Sequence, residues 1–314
     1  MAKDSIEPGG GVGVSPAPRQ SSSKFATAFK NYSLFVLLSV IWGMAFVAIR
    51  SLDFQLSPVN LAILRWLFSS LGYLVVLAFI GKPKVTFQKS DLPRLLLISF
   101  ANVPAYHLAL NYGETSVSSG LAGLLISLGP VFMVVFSVFM LKEKMTGRLI
   151  AALLVAVLGV VILSIGSFSA TGSIVGPLEV VAAALAYAVF SAFGKPLVQK
   201  YGARHIAIWA GVIGTAMLLP LLSSSFFVQV SHLSMDGWAS VLYLSLISSV
   251  LGYSLYYTLL SRGRLSRFSI QLYLIPIVSV IGGIILLNES VTIFTLVGGS
   301  LMLVAVGVST IAKN

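Results

Sequence analysis

Cysteine is missing from the chain, which removes disulfides, thiolate metal sites and cysteine nucleophiles. Charge is scarce: 9% of the 314 residues are Asp, Glu, Lys or Arg, where a soluble domain carries roughly 25%. So few charges cannot coat a water-facing surface. Histidine occurs three times, at 107, 205 and 232, too scattered for a metal cluster. No Walker motif or other phosphate-cradling glycine loop is present, so the chain has no ATPase engine of its own. No cofactor and no metal is implied. What abounds is apolar. Hydrophobic residues make up 57% of the chain and the mean hydropathy is +0.99. The partner implied is the lipid bilayer, and the fold class is all-α integral membrane.

Ten apolar stretches can be read, each long enough for a hydrocarbon core of about 30 Å, which takes roughly 20 helical residues. They are 33–52, 58–80, 93–112, 117–141, 148–166, 176–198, 205–224, 237–260, 268–288 and 292–312. Ordinary turn signals part them, such as Ser57-Pro58, Gly81-Lys82-Pro83 and Met235-Asp236-Gly237. The runs are continuous rather than alternating, which excludes a lipid-facing β-barrel. Residues 1–30 are rich in Gly, Ser and Pro and predict a disordered tail rather than a signal peptide.

The excess of Lys and Arg, 20 against 9 acids, is a topology signal. Eighteen of the 20 fall in the tail or in the loops after the second, fourth, sixth, eighth and tenth stretches. Arg50 lies on the other side and Arg65 within the second stretch. Positive loops stay cytoplasmic, so both termini are expected there, with no nucleic-acid partner.

The chain also repeats itself. Leu128-Gly129-Pro130-Val131-Phe132 is followed by Glu143, and Leu274-Ile275-Pro276-Ile277-Val278 by Glu289. The flanking words Leu-Lys-Glu-Lys-Met-Thr and Leu-Asn-Glu-Ser-Val-Thr match, and the copies are offset by 146. Five spans per copy is an odd number, so the second copy enters from the opposite side. Inverted repeats of this kind are a common plan for secondary transporters. The expected division is a tail, 1–30, and two five-helix repeats, 31–168 and 174–314.

Over roughly residues 33–312 the chain resembles an EamA-type carrier of the drug/metabolite transporter superfamily. The resemblance rests on Trp42-Gly43 with Phe46-Val47-Ala48, on Leu64-Arg65-Trp66 after Pro58, and on the two proline–glutamate words. The sixth stretch departs from the Trp-Gly form, reading Ala186-Tyr187-Ala188. The resemblance implies a basket of ten helices around a cavity lined by helices 1, 3, 4, 6, 8 and 9, with 5 and 10 peripheral. It implies small-molecule substrates, among them amino acids, drugs and other metabolites.

Ionisable groups at membrane depth are functional candidates. Arg65 is about 10 Å down its helix at 1.5 Å per residue, where it either grips a substrate carboxylate or serves as a structural arginine. His107 either carries a coupling proton or is a neutral imidazole bonded to a hydroxyl or carbonyl. Glu114 and Glu179 read as capping or solvated acids, Glu179 in the first turn of its helix. Glu143 and Glu289 read as structural pins that accept amides of the fifth or tenth helix. Pro130 and Pro276 can kink their helices and gate the cavity. Trp42, Tyr106, Tyr187, Tyr253 and Tyr256, with Asn102, Asn111, Ser127 and Gln271, complete the candidate cavity. Tyr112 and Tyr257 fit an interfacial belt. Ala152, Ala156 and Gly159 allow close helix contact without establishing a dimer, so monomer and homodimer stay open.

These features lead to a secondary transporter of the plasma membrane, an exporter of small metabolites such as amino acids, working by alternating access. Protons are one option for a coupling ion. The alternatives are a multidrug or nucleotide-sugar carrier of the same fold and, from another class, a lipid-modifying membrane enzyme. The last would need a cluster of acids or histidines at one interface, which the sequence lacks.

Overall fold

The computed structural model describes residues 20–80, 86–141, 147–262 and 269–311. Among the described residues the chain is helical and contains no strand. Six helical stretches are long and apolar enough to cross a membrane: Ser33–Arg50, Pro58–Phe79, Ile150–Ser167, Val175–Tyr201, Ala203–Leu221 and Met235–Ser261. Shorter apolar helices cover Ser119–Met133, Leu274–Leu287 and Ile293–Ala305. Helix suits such a sequence because it satisfies every backbone amide and carbonyl internally, which hydrocarbon demands.

In chain order the α-helices are α1 (Gln20–Arg50), α2 (Pro58–Ile80), α3 (Leu92–Phe100), α4 (Tyr106–Glu114), α5 (Ser119–Ile126), α6 (Gly129–Leu141) and α7 (Gly147–Thr171). There follow α8 (Val175–Tyr201), α9 (Ala203–Leu218), α10 (Ser224–Ser231), α11 (Met235–Leu242), α12 (Gly252–Arg262), α13 (Ser269–Leu287) and α14 (Ile293–Ile311). A π-helical turn, Ala101–Ala105, joins α3 to α4, and another, Tyr243–Leu251, joins α11 to α12. Both end at equivalent positions, Ala105 and Leu251, 146 residues apart. The apolar periodicity of these stretches predicts plain helices; the wider turns are set by packing.

The two proline words behave differently. Chain 117–141 breaks at Ser127–Leu128, and Pro130 sits second in α6, where a helix needs no intrahelical donor. Pro276 stays inside a continuous α13. The short helix α10 lies in what reads as a loop; its Phe226 is buried and Phe227 exposed.

Packing follows the repeat. α1 lies against α13, and α8 against α6 and α5. α2 lies against the turn 243–251, and α9 against α3 and the turn 101–105. In each case the second contact is the first one shifted by the repeat. α7 packs chiefly on α14, with Gly159 over Gly298 and Met302 and with Ala152 and Ala156 buried. The small residues of α7 thus serve a contact within the chain, while Leu154, Val157, Leu158 and Val161 face outward.

Loop contacts show which turns share an end of the bundle. The Gln55 Oε1 accepts from the Ser234 amide (3.0 Å) and hydroxyl (2.8 Å). Gln229 Oε1 accepts from the Ser57 amide and from Asn60 Nδ2, each at 2.8 Å. At the other end Tyr201 OH and Lys200 Nζ donate to Asp91 Oδ2 at 2.6 and 2.7 Å.

Candidate functional site

At the centre of the bundle Trp42, Arg65, Tyr106, Tyr187 and Tyr253 converge with Ser248 and a few aliphatic side chains. The free space they leave is about 30 Å³. That holds a water or two and no metabolite. The site is closed in this conformation, so any solute enters only with helix movement.

Arg65 is 3% exposed and is held from one side only. Its Nε donates to Ser249 Oγ at 3.0 Å and its Nη2 to Ser248 Oγ at 3.2 Å. Both serines belong to the π turn 243–251, and three of that turn's carbonyls take donors from α1 and α2. Trp42 Nε1 donates to the Ser248 carbonyl (3.1 Å), Tyr73 OH to the Ser249 carbonyl (3.0 Å) and Ser69 Oγ to the Ser245 carbonyl (3.1 Å). A π turn loosens the backbone ladder and leaves carbonyls free for such donors. Among the described residues the ion pairs are Arg50–Asp53 and Lys200–Asp91, so no carboxylate pairs with Arg65. A buried guanidinium with hydroxyls on one side and no counter-ion keeps donors for an incoming anion.

Aromatic rings form the rest of the wall. Trp42 stands 5.3 Å from Tyr253 and 6.3 Å, edge-on, from Tyr187. Tyr256 lies behind it at 5.2 Å, its hydroxyl donating to Ser191 Oγ. Such faces accept a cation as readily as an apolar group.

The other sequence candidates fall outside this wall. His107 is fully buried behind Tyr106, with ring centroids 4.9 Å apart, and edge-on to Trp66 at 5.0 Å. Its Nδ1 lies 3.0 Å from the Asn102 carbonyl and 3.2 Å from that of Val103. Two acceptors there assign the proton to Nδ1 and leave Nε2 bare, which is the neutral alternative. Asn111 Nδ2 donates to the Pro58 carbonyl (3.0 Å), tying α4 to the start of α2. Ser127 Oγ donates to the Leu124 carbonyl (2.5 Å) where α5 ends. Glu143 and the side chain of Gln271 lie outside the described residues.

Four expectations change. Glu289 reaches neither of the expected stretches, 148–166 (α7) and 292–312 (α14): Oε1 accepts the Ser119 amide (2.8 Å), and Oε2 accepts the Ser119 hydroxyl (2.8 Å) and Gly120 amide (3.4 Å), at the start of α5. The turn before α14 folds back over α5, where unpaired amides wait. Glu179 is the fifth residue of α8, past the first turn, because that helix begins at Val175. Tyr257 is fully buried rather than belted, unlike the exposed Tyr112. Glu114, read as solvated or capping, is fully buried with neither carboxylate oxygen bonded.

Ser248 and Ser249, the partners of Arg65, did not stand out in the sequence. The repeat carries the signal: they are the mates, 146 residues on, of Asn102 and Val103, whose carbonyls hold His107.

The sequence profile of the EamA-like transporter family matches the chain twice, at residues 30–165 and 174–311. The chain belongs to the EamA-like transporter family. Its relatives include an uncharacterized transporter of Archaeoglobus fulgidus, 33% identical over 277 residues, 88% of this chain and 97% of that one. A probable terminal-alkyne amino-acid exporter of Streptantibioticus cattleyicolor is 31% identical, over 85% of this chain and 88% of that one. A solved crystal structure, 15% identical, superposes with a TM-score of 0.60 over 90% of this chain and 96% of its own, a likeness of fold. An EamA-like protein with several membrane spans is a transporter by family, and the closed aromatic cleft is its central feature.

Proposed function

We propose that the protein is a secondary transporter that exports amino acids or closely related amphipathic acids across the plasma membrane by alternating access. Its scaffold is ten transmembrane helices in two oppositely oriented repeats, 31–168 and 174–314, with the 1–30 tail and both termini cytoplasmic. The basic loops, the 146-residue offset and the repeat-related packing support that scaffold. Trp42, Arg65, Tyr106, Tyr187 and Tyr253 form the binding site, with Tyr256 bracing it from behind.

The observation that carries this reading is Arg65: buried, held by two serine hydroxyls, and without a carboxylate partner among the described residues. An intramembrane cation is expensive and is retained where it does work. Its unused donors suit a carboxylate through parallel hydrogen bonds. The aromatic faces suit the ammonium or an apolar side chain of the same solute. The absence of an acid among the cleft-lining residues argues against cationic drugs as substrates. The exporter name of the Streptantibioticus relative supports the direction and the amino-acid class.

Counterflow in proteoliposomes, with a pooled panel of amino acids and metabolites and with and without a pH gradient, tests the proposal. The expected result is exchange of one or more carboxylate-bearing amino acids, lost in Arg65→Lys, which keeps the charge but not the two-pronged geometry. Exchange confined to cationic drugs, or unaffected by Arg65→Lys, would overturn it.

A further inference from the structure

Arg50, Asp53, Glu114 and Glu289 gather where α1, the turn after it, the end of α4 and the α13–α14 turn meet. Arg50 Nη1 donates to Asp53 Oδ2 and to the backbone carbonyl of Glu114, each at 2.5 Å. Burial pushes the Asp53 carboxyl up to about 6, with Arg50 pulling it the other way. Glu289 is engaged on α5. Beside them opens a cleft of about 660 Å³ whose lining includes Arg50, Phe54, Val117 and Glu289.

Glu114 is the odd member. Its carbonyl is bonded to Arg50, yet its side chain is 0% exposed and both carboxylate oxygens lack a partner among the described residues. The charged groups that act on it are Asp53, Arg50, Glu289 and Arg65, two acids against two bases. The other titratable side chains on the inward side of its helix are Tyr106 and His107, two turns back among the described residues. α8 closes the remaining side with Gly176 and Val180 against Gly113. A carboxylate denied both water and donors is strongly penalised, and uptake of one proton from water removes the charge that is penalised.

We propose that Glu114 is a proton-binding site that locks this end of the carrier shut, protonated while α4 packs on α1 and α8 and ionised once the end opens to water. The proposal rests on the alternating-access reading only in requiring that this end opens, and its test does not read flux.

The absence of native cysteine makes the test clean. Val117 lines the cleft, three residues past Glu114, and is 2% exposed; Phe54 is 97% exposed. Single Val117→Cys and Phe54→Cys proteins are labelled with a bulky maleimide from pH 5 to 8.5, and the ratio of their rates cancels the intrinsic pH dependence of the thiol. The expected ratio rises severalfold with pH in the Glu114 background. It stays at its low-pH value in Glu114→Gln, which mimics the protonated acid, and still rises in Asp53→Asn. The melting temperature of Glu114→Gln should match the parent at pH 5 and exceed it at pH 8. A ratio that does not change with pH, or that rises equally in Glu114→Gln, overturns the proposal. So does a rise abolished by Asp53→Asn alone, which would place the proton on Asp53. Loss of transport with this labelling pattern intact would count against the proposed substrate site and not against the lock.

Discussion

Glu289 holds the start of α5 from the far half of the chain, and its removal has a calculable effect. Its carboxylate takes the amides of Ser119 and Gly120 and the hydroxyl of Ser119, at 2.8 to 3.4 Å. Truncation to alanine leaves the Ser119 and Gly120 amides without this acceptor, while Ser118 Oγ still takes the Leu121 amide, a loss of about 0.5–2 kcal/mol. The hydroxyl bond adds about 0.5–1.5 kcal/mol. Ser119 is 0% exposed, so its orphaned amide finds no water and the upper half of the range applies. At about 2 °C per kcal/mol for a chain of this size, Glu289→Ala should lower the melting midpoint in detergent by about 5–7 °C. Glu289→Gln keeps one acceptor and should fall between the two. Ser119→Ala completes a cycle that should show coupling of about 0.5–1.5 kcal/mol, the size of the shared hydroxyl bond. A Glu289→Ala midpoint equal to that of the parent, or additive single substitutions, would refute the cap.

Three further outcomes follow from other contacts. A methyl group on Gly43 would meet Val278 Cβ at 2.6 Å and the Ile275 carbonyl at 2.9 Å, so Gly43→Ala should force α1 from α13 and cost about 1–3 kcal/mol, read as reduced monodisperse yield. His107→Gln should leave the pH profile of flux unchanged, because the imidazole is buried with its proton given to two carbonyls; a shifted profile would restore His107 as the coupling group. Hydrogen bonds from Lys200 and then Tyr201 hold the Asp91 carboxyl below its ordinary 3.8. A depressed acid adds stability above the ordinary value and loses it as pH falls through the depressed one. Limited proteolysis of the adjoining loop should therefore distinguish Asp91→Asn from the parent at neutral pH, with the two converging below pH 3.8.

Much of this architecture is legible in the sequence. Apolar run lengths gave the membrane class, because a low-dielectric slab demands long helices and the sequence shows their lengths directly. The Arg65 position was legible for the same reason: a lone charge in an apolar run is conspicuous. Its surroundings were not. Ser248 and Ser249 look like ordinary small residues, and only a π turn aims both hydroxyls at one guanidinium. Burial of Glu114 was equally hidden, since position near a helix end says nothing of what folds over it. Arg50, the turn at Asp53 and the start of α8 cover it from distant parts of the chain. Sequence neighbours point Glu289 to α14, whereas tertiary packing presents α5.

The central claim is that Arg65 recognises a carboxylate. The direct measurement compares the best-exchanged amino acid with its own carboxamide as competitors of counterflow, in the parent and in Arg65→Gln. Two charge-assisted hydrogen bonds predict that the acid outcompetes the amide by at least about tenfold in the parent, and that the preference collapses in Arg65→Gln. An amide that competes equally well in the parent, or an acid preference that survives in Arg65→Gln, would contradict it.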